Sequence, residues 1–310
     1  RKKREPFPGS GKRPLPWCNR LRNCRMLVNG LVTGLIMGGI LSLPVLGVAV
    51  IYGITGIPNF GIGVIGVFGG FITWYFLSFN PTLAVSVGII ACYIIGYMVQ
   101  RVLLTPVSEK GGDSTLFFIL TISVGVMIEG IIRAIFPRPN ISLEFQRFGS
   151  MNLAGLQVEG FKVLALGFAF VTLIIIRTME EHTEIGKSWQ ATSQNLKLAK
   201  LVGINTTRVF SVASGMGCAL ACIGAIFWGS LYNLQLTSGW DLGFMGFIVA
   251  VVGGIGNIWG GLISALIMGM VMSFSGYLLG GEWQSVILYV IVILVLIIAP
   301  KGILGSERSL

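Results

Sequence analysis

The sequence predicts an all-α membrane protein, built as a single bundle of about eight or nine transmembrane or partly re-entrant helices. Composition is the first indication: 54% of the 310 residues are hydrophobic and only 11% are charged, whereas a soluble domain carries roughly 25% charged residues. Several apolar runs also reach or approach the ~20 residues that cross a bilayer as a helix. These runs are continuous and lack the alternation that is typical of a membrane β-barrel.

Nine apolar segments follow one another along the chain, and each is expected to form a helix. They are residues 26–54, 57–79, 81–105, 115–136, 161–179, 207–231, 242–254, 257–279 and 284–300. The seventh segment, 242–254, is too short to span a bilayer alone. It is therefore predicted to be a half-helix or a tilted neighbour of the next helix, and segments of this kind often line a cavity.

The N-terminus is strongly basic. Nine of the 22 basic residues lie in residues 1–25, against one acidic residue, Glu5. This arm is predicted to be disordered and cytoplasmic. Contact with membrane lipid is a modest further expectation for it, and binding to nucleic acid is not expected. Residues 26–305 are predicted to form the membrane domain, and residues 306–310 a short tail.

Charge distribution and segment count disagree about the topology. If the polar region 178–206 is cytoplasmic, five complete crossings before it would place the N-terminus outside, which the basic arm contradicts. One early segment is therefore re-entrant or broken, unless the arm departs from the rule. Pro58 and four glycines cluster in residues 52–63, so the break is predicted there.

Small residues recur at intervals of four in several segments. The stripes are Gly30, Gly34 and Gly38; Gly66 and Gly70; and Gly261, Ala265, Gly269 and Ser273. Such stripes let membrane helices approach closely, and they predict tight packing rather than a binding site.

A polar stretch, residues 184–209, interrupts the apolar chain between its fifth and sixth long segments. A single helix is predicted over about 187–203, and Gly203 is expected to end it. Residues four apart share one face of such a helix, and here they are Ala191, Asn195, Ala199 and Gly203. Its basic character favours the cytoplasmic side. Such a helix suits docking into a groove of a partner, or lying on lipid headgroups, and physics alone leaves both open.

The stretch ATSQNLKLAKLVGINTTRV resembles the cytoplasmic coupling segment of permease subunits in the branched-chain amino acid ABC-importer family. Three further blocks, in the same order, are similar to that family. They are the first segment with its Asn59-Phe60 pair, the block VAVVGGIGNIWGGLISALIMG, and the close with Pro300, Gly302, Ile303 and Gly305. The family usually continues after Asn-Phe with Ala-His-Gly and an acidic residue. Gly61, Ile62 and Gly63 follow here without an acid, so the solute stays open, and urea or short-chain amide permeases are similar relatives.

The resemblance implies a multi-pass permease of a bacterial or archaeal cell membrane that binds no cofactor itself. Its implied partners are a second permease subunit or a second copy, two ATPase subunits that use ATP, and an extracytoplasmic solute-binding protein. ATP-driven closure of the ATPases would push the 187–203 helix and switch access between the two faces of the membrane.

Candidate functional residues follow from this reading. For coupling to the ATPases they are Ala191, Asn195, Ala199, Gly203 and Ile204, and for the translocation pathway Tyr52, Asn59 and Asn257, with Glu129 as a weaker candidate. Each pathway candidate also has a structural interpretation. Asn59 could form a helix–helix hydrogen bond, Asn257 could cap the following helix, and Glu129 could pair with Arg133 at i+4.

Other functions are disfavoured by the residues present. His182 is the only histidine, no catalytic triad can be assembled, and no metal-ligand spacing or complete phosphate-binding loop occurs. The chain is therefore not expected to be an enzyme or to bind a metal. An ion-coupled carrier would usually need several intramembrane acids, and neither a carrier nor a channel explains the polar docking segment.

Overall fold

The computed structural model describes residues 16–143, 150–153, 156–299 and 302–304. Helices dominate this part of the chain. They are α1 Pro16–Thr55, α2 Ile62–Phe76, α3 Pro81–Met98, the π-helical turn Val99–Leu104, α4 Thr105–Glu109, α5 Ser114–Ile135, α6 Gly160–His182, α7 Glu184–Gln194, α8 Leu196–Leu201, α9 Thr206–Tyr232, α10 Ser238–Gly253, α11 Ile258–Leu279 and α12 Trp283–Ile298.

The nine predicted apolar segments correspond one to one to helices. Within the described residues, six helices are long and apolar enough to cross a membrane, and three shorter apolar helices, α2, α10 and α12, accompany them. At 1.5 Å per residue, α2 and α10 are about 22 to 24 Å long, which is less than the ~30 Å hydrocarbon core. The prediction that the seventh segment is too short to cross alone is therefore confirmed, and so is the break before α2, because α1 ends at Thr55 and α2 begins at Ile62.

Two short antiparallel strand pairs were not predicted. In the first, β1 Asn140–Ile141 pairs with β4 Leu234–Gln235 and joins the loop after α5 to the end of α9. In the second, β2 Ser150–Leu153 pairs with β3 Leu156–Glu159. Strands of two to four residues carry too little periodicity to be recognised in the sequence.

The basic arm is not disordered throughout, because α1 begins at Pro16 and residues 16–25 are helical. Proline suits the first position of a helix, and no proline or glycine interrupts residues 17–29, so the helix continues backwards from the apolar segment. Residues 1–15 of the arm and the tail 306–310 lie outside the described residues.

Helices α1 and α9 form the centre of the bundle. Their most apolar windows are 89% and 78% buried, against 28–33% for α3, α5 and α6, so the latter helices form its periphery. The glycine stripes hold the centre together, as the sequence predicts. A Cβ on Gly38 would lie 2.7 Å from the Leu266 Cα, and the Ser273 hydroxyl donates to the Gly30 carbonyl at 2.9 Å.

The two short helices α2 and α10 cross each other through glycine. A Cβ on Gly63 would lie 2.7 Å from the Gly243 Cα, and one on Gly239 would lie 2.7 Å from the Val64 Cα. Backbones can approach this closely only where side chains are absent. The crossing places the start of α2, and the break before it, against the start of α10.

Candidate functional site

The predicted docking helix is two helices rather than one. α7 ends at Gln194 and α8 begins at Leu196, while Asn195 between them is extended, with φ −153° and ψ 104°. The Asn195 side chain accepts a hydrogen bond from the Leu198 amide at 3.0 Å and so caps α8. The expectation that Ala191, Asn195, Ala199 and Gly203 share one helix face is therefore wrong, because the chain turns a corner at Asn195.

Gly203 ends α8 as predicted. Its φ is +88°, a conformation that favours glycine. The Gly203 amide donates to the Lys200 carbonyl at 3.1 Å, and the Ile204 amide donates to the Ala199 carbonyl at 3.0 Å. This pair of bonds is a Schellman motif, and it turns the chain sharply from α8 towards α9.

The inner side of the segment α7–α8 is anchored in the bundle. Trp189 is buried in a cluster that includes Val50 of α1 and Leu173 of α6, and Ile204 packs against the same cluster. Ala199 is also buried. Ala199 and Ile204, two of the residues predicted for coupling, therefore face the bundle.

The outer side of α8 is apolar and exposed. Leu201 and Val202 are each 81% exposed and Leu198 is 57% exposed. They are spaced i, i+3 and i+4, so they lie on one face. Lys197 and Lys200 are exposed beside them. We call Leu198, Leu201 and Val202 the α8 face; its leucines are visible in the sequence, but the side on which they lie is not.

The anchored segment touches the helix that leads to the break. A narrow cleft is bordered by Trp189 and Gln190 of α7, by Gly53 at the end of α1, by Gly256 of the α10–α11 connection and by Ile258 at the start of α11. A Cβ on Gly53 would lie 3.3 Å from the Gly256 Cα. Displacement of α7 would thus bear on the end of α1 and on this connection.

The break itself is built from local hydrogen bonds. Gly56 has φ +67° and its amide donates to the carbonyl of Tyr52, the half-buried residue one turn earlier. The Thr55 hydroxyl accepts from the Ile57 amide at 3.1 Å. The Asn59 Oδ1 accepts from the Gly61 amide at 3.0 Å, which forms an Asx turn that leads into α2.

Asn59 keeps an unused donor. The residue is 5% exposed, and its Nδ2 has no hydrogen-bond partner within the described residues. The amide oxygen bonds within its own turn, so the helix–helix hydrogen bond that the sequence allowed for Asn59 is not formed. A buried amide donor without a partner costs about 1–3 kcal/mol, and a polar solute passing the break could satisfy it.

Aromatic rings close around the residue that follows Asn59. The Phe60 ring lies 5.0 Å from that of Phe118 in α5, and 5.6 Å and 4.7 Å from those of Phe244 and Phe247 in α10, centroid to centroid. The break therefore lies against α5 and α10 behind aromatic side chains. Phe244 and Phe247 were missed in the sequence, where only helix periodicity marks them.

Asn257, another pathway candidate, forms hydrogen bonds within the chain through both ends of its side-chain amide. The Asn257 Oδ1 accepts from the Gly260 amide at 3.1 Å and caps α11, and its Nδ2 donates to the Leu304 carbonyl at 2.8 Å. Residues 302–304 lie along the end of α10, where the Ile303 amide donates to the Val252 carbonyl at 2.8 Å. Both polar groups of Asn257 are thus engaged within the chain, and the cap interpretation is confirmed.

Glu129 forms the predicted ion pair with Arg133, with an oxygen–nitrogen distance of 3.0 Å. Its second oxygen accepts from the Trp240 indole at 2.8 Å, a contact across 111 residues that the sequence did not indicate. A Cβ on Gly125, one turn earlier in α5, would lie 2.7 Å from the Trp240 ring. Glu129 thus ties α5 to the start of α10.

The comparisons with known proteins identify the family of this chain. The family described as "Branched-chain amino acid transport system / permease component" matches residues 30–296, which include both the break and the segment α7–α8. The chain belongs to this permease family. It is accordingly a multi-pass protein of the cell membrane and a permease component of an ABC importer.

Several curated relatives cover nearly the whole permease. The high-affinity branched-chain amino acid transport system permease protein BraD of Pseudomonas aeruginosa is 26% identical over 90% of this chain and 95% of its own. LivH of Escherichia coli is 25% identical over 89% and 94%, and the probable LivH of Methanocaldococcus jannaschii is 26% identical over 91% and 93%. No solved structure matches the permease.

Proposed function

We propose that this permease forms the membrane path of an importer for branched-chain amino acids or a similar small polar solute. ATP is used by two separate ATPase subunits, a second permease subunit or copy completes the path, and an extracytoplasmic binding protein delivers the solute. Support comes from the names of the relatives, which state branched-chain amino acid transport. The observation that carries the proposal is the α8 face, an exposed apolar surface on an otherwise polar segment.

The α8 face is the ATPase contact in this proposal. Exposed apolar side chains at i, i+3 and i+4 are the anchors by which an amphipathic helix enters a groove. Lipid could cover the same side chains, but the adjacent Trp189 and Ile204 are already anchored in the bundle. A groove that grips the α8 face would therefore pull on the bundle, whereas fluid lipid would transmit no force.

The force reaches the solute path through direct packing. α7 packs against the last turns of α1, where Trp189 and Val50 lie in one buried cluster, and the break follows within a few residues. Tyr52 and Asn59 flank this break, and α2 beyond it moves with α10 because the two cross backbone to backbone at Gly63. Packed helices have discrete arrangements, so a push on α7 would switch the break between two access states.

Co-purification followed by ATP hydrolysis tests the proposal. The full-length permease, tagged and extracted from its native membrane, is expected to carry an ATPase with it. In lipid nanodiscs that complex should hydrolyse ATP faster when a binding protein with bound solute is added. The solutes to compare are leucine, isoleucine and valine on one side and urea and acetamide on the other. Solute movement by the purified chain alone would contradict the proposal and favour a carrier or channel.

A further inference from the structure

A polar cavity lies between α3 and α9, and none of its lining residues belongs to the break. It has a volume of about 570 Å³ and is lined by Tyr97, Arg101, Asn205, Thr207 and Arg208. Arg101 belongs to the π-helical turn that follows α3. Asn205 caps α9, and Thr207 and Arg208 lie in the first turn of that helix. The π-helical turn and α9 pack against each other, so the cavity is a fixed gap between two elements.

The cavity is strongly positive. Neither Arg101 nor Arg208 has a carboxylate within ion-pairing distance among the described residues. Arg101 donates to the Tyr97 hydroxyl at 3.0 Å, and its guanidinium carbon lies 6.0 Å from the Tyr97 ring centroid. The positive end of the 27-residue helix α9 points at the same space. Two guanidinium groups and a helix N-terminus suit an anion with several acceptor oxygens.

The backbone around Arg101 is unusual as well. π-helical turns are rare and occur frequently at functional sites. Gln100, next to Arg101 in this turn, is 1% exposed, and neither its amide oxygen nor its amide nitrogen has a partner among the described residues. The Thr105 hydroxyl is buried without a partner too. Gln100 in the turn and Thr105 at the start of α4 thus leave three buried polar atoms unpaired close to Arg101 in the sequence, although neither residue lines the cavity.

The surroundings favour an anion that is part of a lipid. Ile94, Met98 and Val102 are all half or more exposed, and their spacing of four places them in a stripe along α3 and the π-helical turn. Tyr93 and Tyr97 stack with ring centroids 6.4 Å apart, and tyrosine is enriched at the membrane interface. An acyl chain can lie along such a stripe while its headgroup reaches the cavity, whereas a soluble anion would make no use of it.

We propose that the cavity lined by Arg101 and Arg208 binds the phosphate-bearing headgroup of an anionic phospholipid whose chains lie along Ile94, Met98 and Val102. Because Asn205 and Arg208 directly follow α8 and its Schellman turn, the bound headgroup stabilises the start of α9, the helix that follows the segment α7–α8. The lipid therefore acts as a structural ligand beside the α8 face.

Lipid retention by the purified full-length permease tests this. Native mass spectrometry after equal exposure to phosphatidylglycerol and phosphatidylcholine is expected to show preferential retention of phosphatidylglycerol, and phosphatidylglycerol should raise the melting temperature. The double variant Arg101→Gln/Arg208→Gln should bind phosphatidylglycerol at least tenfold more weakly. Arg138→Gln is the matched control, since Arg138 also lies over an aromatic ring, 5.9 Å from the centroid of Trp74, but away from the cavity; it should bind like the wild type.

Three results would overturn the proposal. The first is equal retention of the two lipids by the wild type, a measurement that does not depend on any variant folding. The second is undiminished phosphatidylglycerol binding by the double variant or by either single variant Arg101→Gln and Arg208→Gln. The third is a rise in melting temperature with millimolar inorganic phosphate alone that equals the rise with phosphatidylglycerol, which would assign the cavity to a soluble anion.

Discussion

Replacing Leu201 by alanine is expected to weaken ATPase binding without harming the fold. The Leu201 side chain is 81% exposed, so its truncation removes no internal packing, and surface changes of this kind usually alter stability by less than about 0.5 kcal/mol. The substitution deletes three carbon groups, each worth about 0.8 kcal/mol when buried. Burial of the exposed four-fifths by a partner's groove therefore contributes about 2 kcal/mol, or about 30-fold in affinity.

Titration of the co-purifying ATPase against permease in lipid nanodiscs measures this change, with solute-stimulated ATP hydrolysis as a second readout. Leu278→Ala is the matched control, because Leu278 is 80% exposed at the end of α11, the end of that helix opposite to Asn257. Leu278→Ala should bind the ATPase normally. Wild-type affinity in Leu201→Ala, or equal weakening in both variants, would refute the assignment of the α8 face as the ATPase contact.

Four further outcomes are expected. Gly203→Val should strain the Schellman turn by about 1–2 kcal/mol, because φ is +88°, and reduce solute-stimulated ATP hydrolysis while membrane insertion, measured by expression and protease protection, stays normal. Gly63→Ala should lower the melting temperature through a clash worth about 1–3 kcal/mol at the α2–α10 crossing, whereas Gly130→Ala, where a Cβ meets nothing within 4 Å, should leave it unchanged or raise it. Glu129→Gln should keep uptake and most stability, since the amide oxygen still accepts from the α10 indole, and the lost ion pair is worth about 1 kcal/mol because its arginine side chain is 69% exposed; abolished uptake at normal expression would instead make this carboxylate functional. Asn59→Ser should fold normally, because the serine hydroxyl can still accept from the amide two residues on, but it should lower uptake at fixed solute concentration, because the unpaired amide donor is lost; unchanged uptake would remove this residue from the pathway.

Features that depend on neighbouring residues were predictable from the sequence. Helix length follows from apolar runs, and the break before α2 follows from glycine and proline, whose backbone preferences act locally. Gly203 was recognised as a helix end for the same reason, and the Glu129–Arg133 pair follows from i+4 spacing. The close packing of α1 was also predictable, because small residues four apart in a membrane helix usually allow a neighbouring helix to approach closely.

The corner at Asn195 shows where local reasoning fails. Asparagine is tolerated inside a helix and is also a good cap, so sequence spacing could not distinguish a single helix over 187–203 from two helices meeting at Asn195. The burial of Ala199 and the exposure of Leu201 then follow from the corner. As a result, the residues chosen for coupling included some that face the bundle and omitted the α8 face.

By itself the sequence determined that this is a helical membrane protein, where its helices lie, and where the chain breaks before α2, because apolar length and glycine and proline preferences are properties of short segments. Its membership of a permease family was indicated by the resemblance of whole blocks of sequence, and not by these local preferences. The tertiary structure alone decided which side of α8 is exposed, that Trp240 reaches Glu129, and that Arg101 and Arg208 converge on one cavity. These are relations between residues up to 111 positions apart in the chain. They depend on how helices rotate and pack against one another, and several packings would satisfy the same pattern of apolar segments.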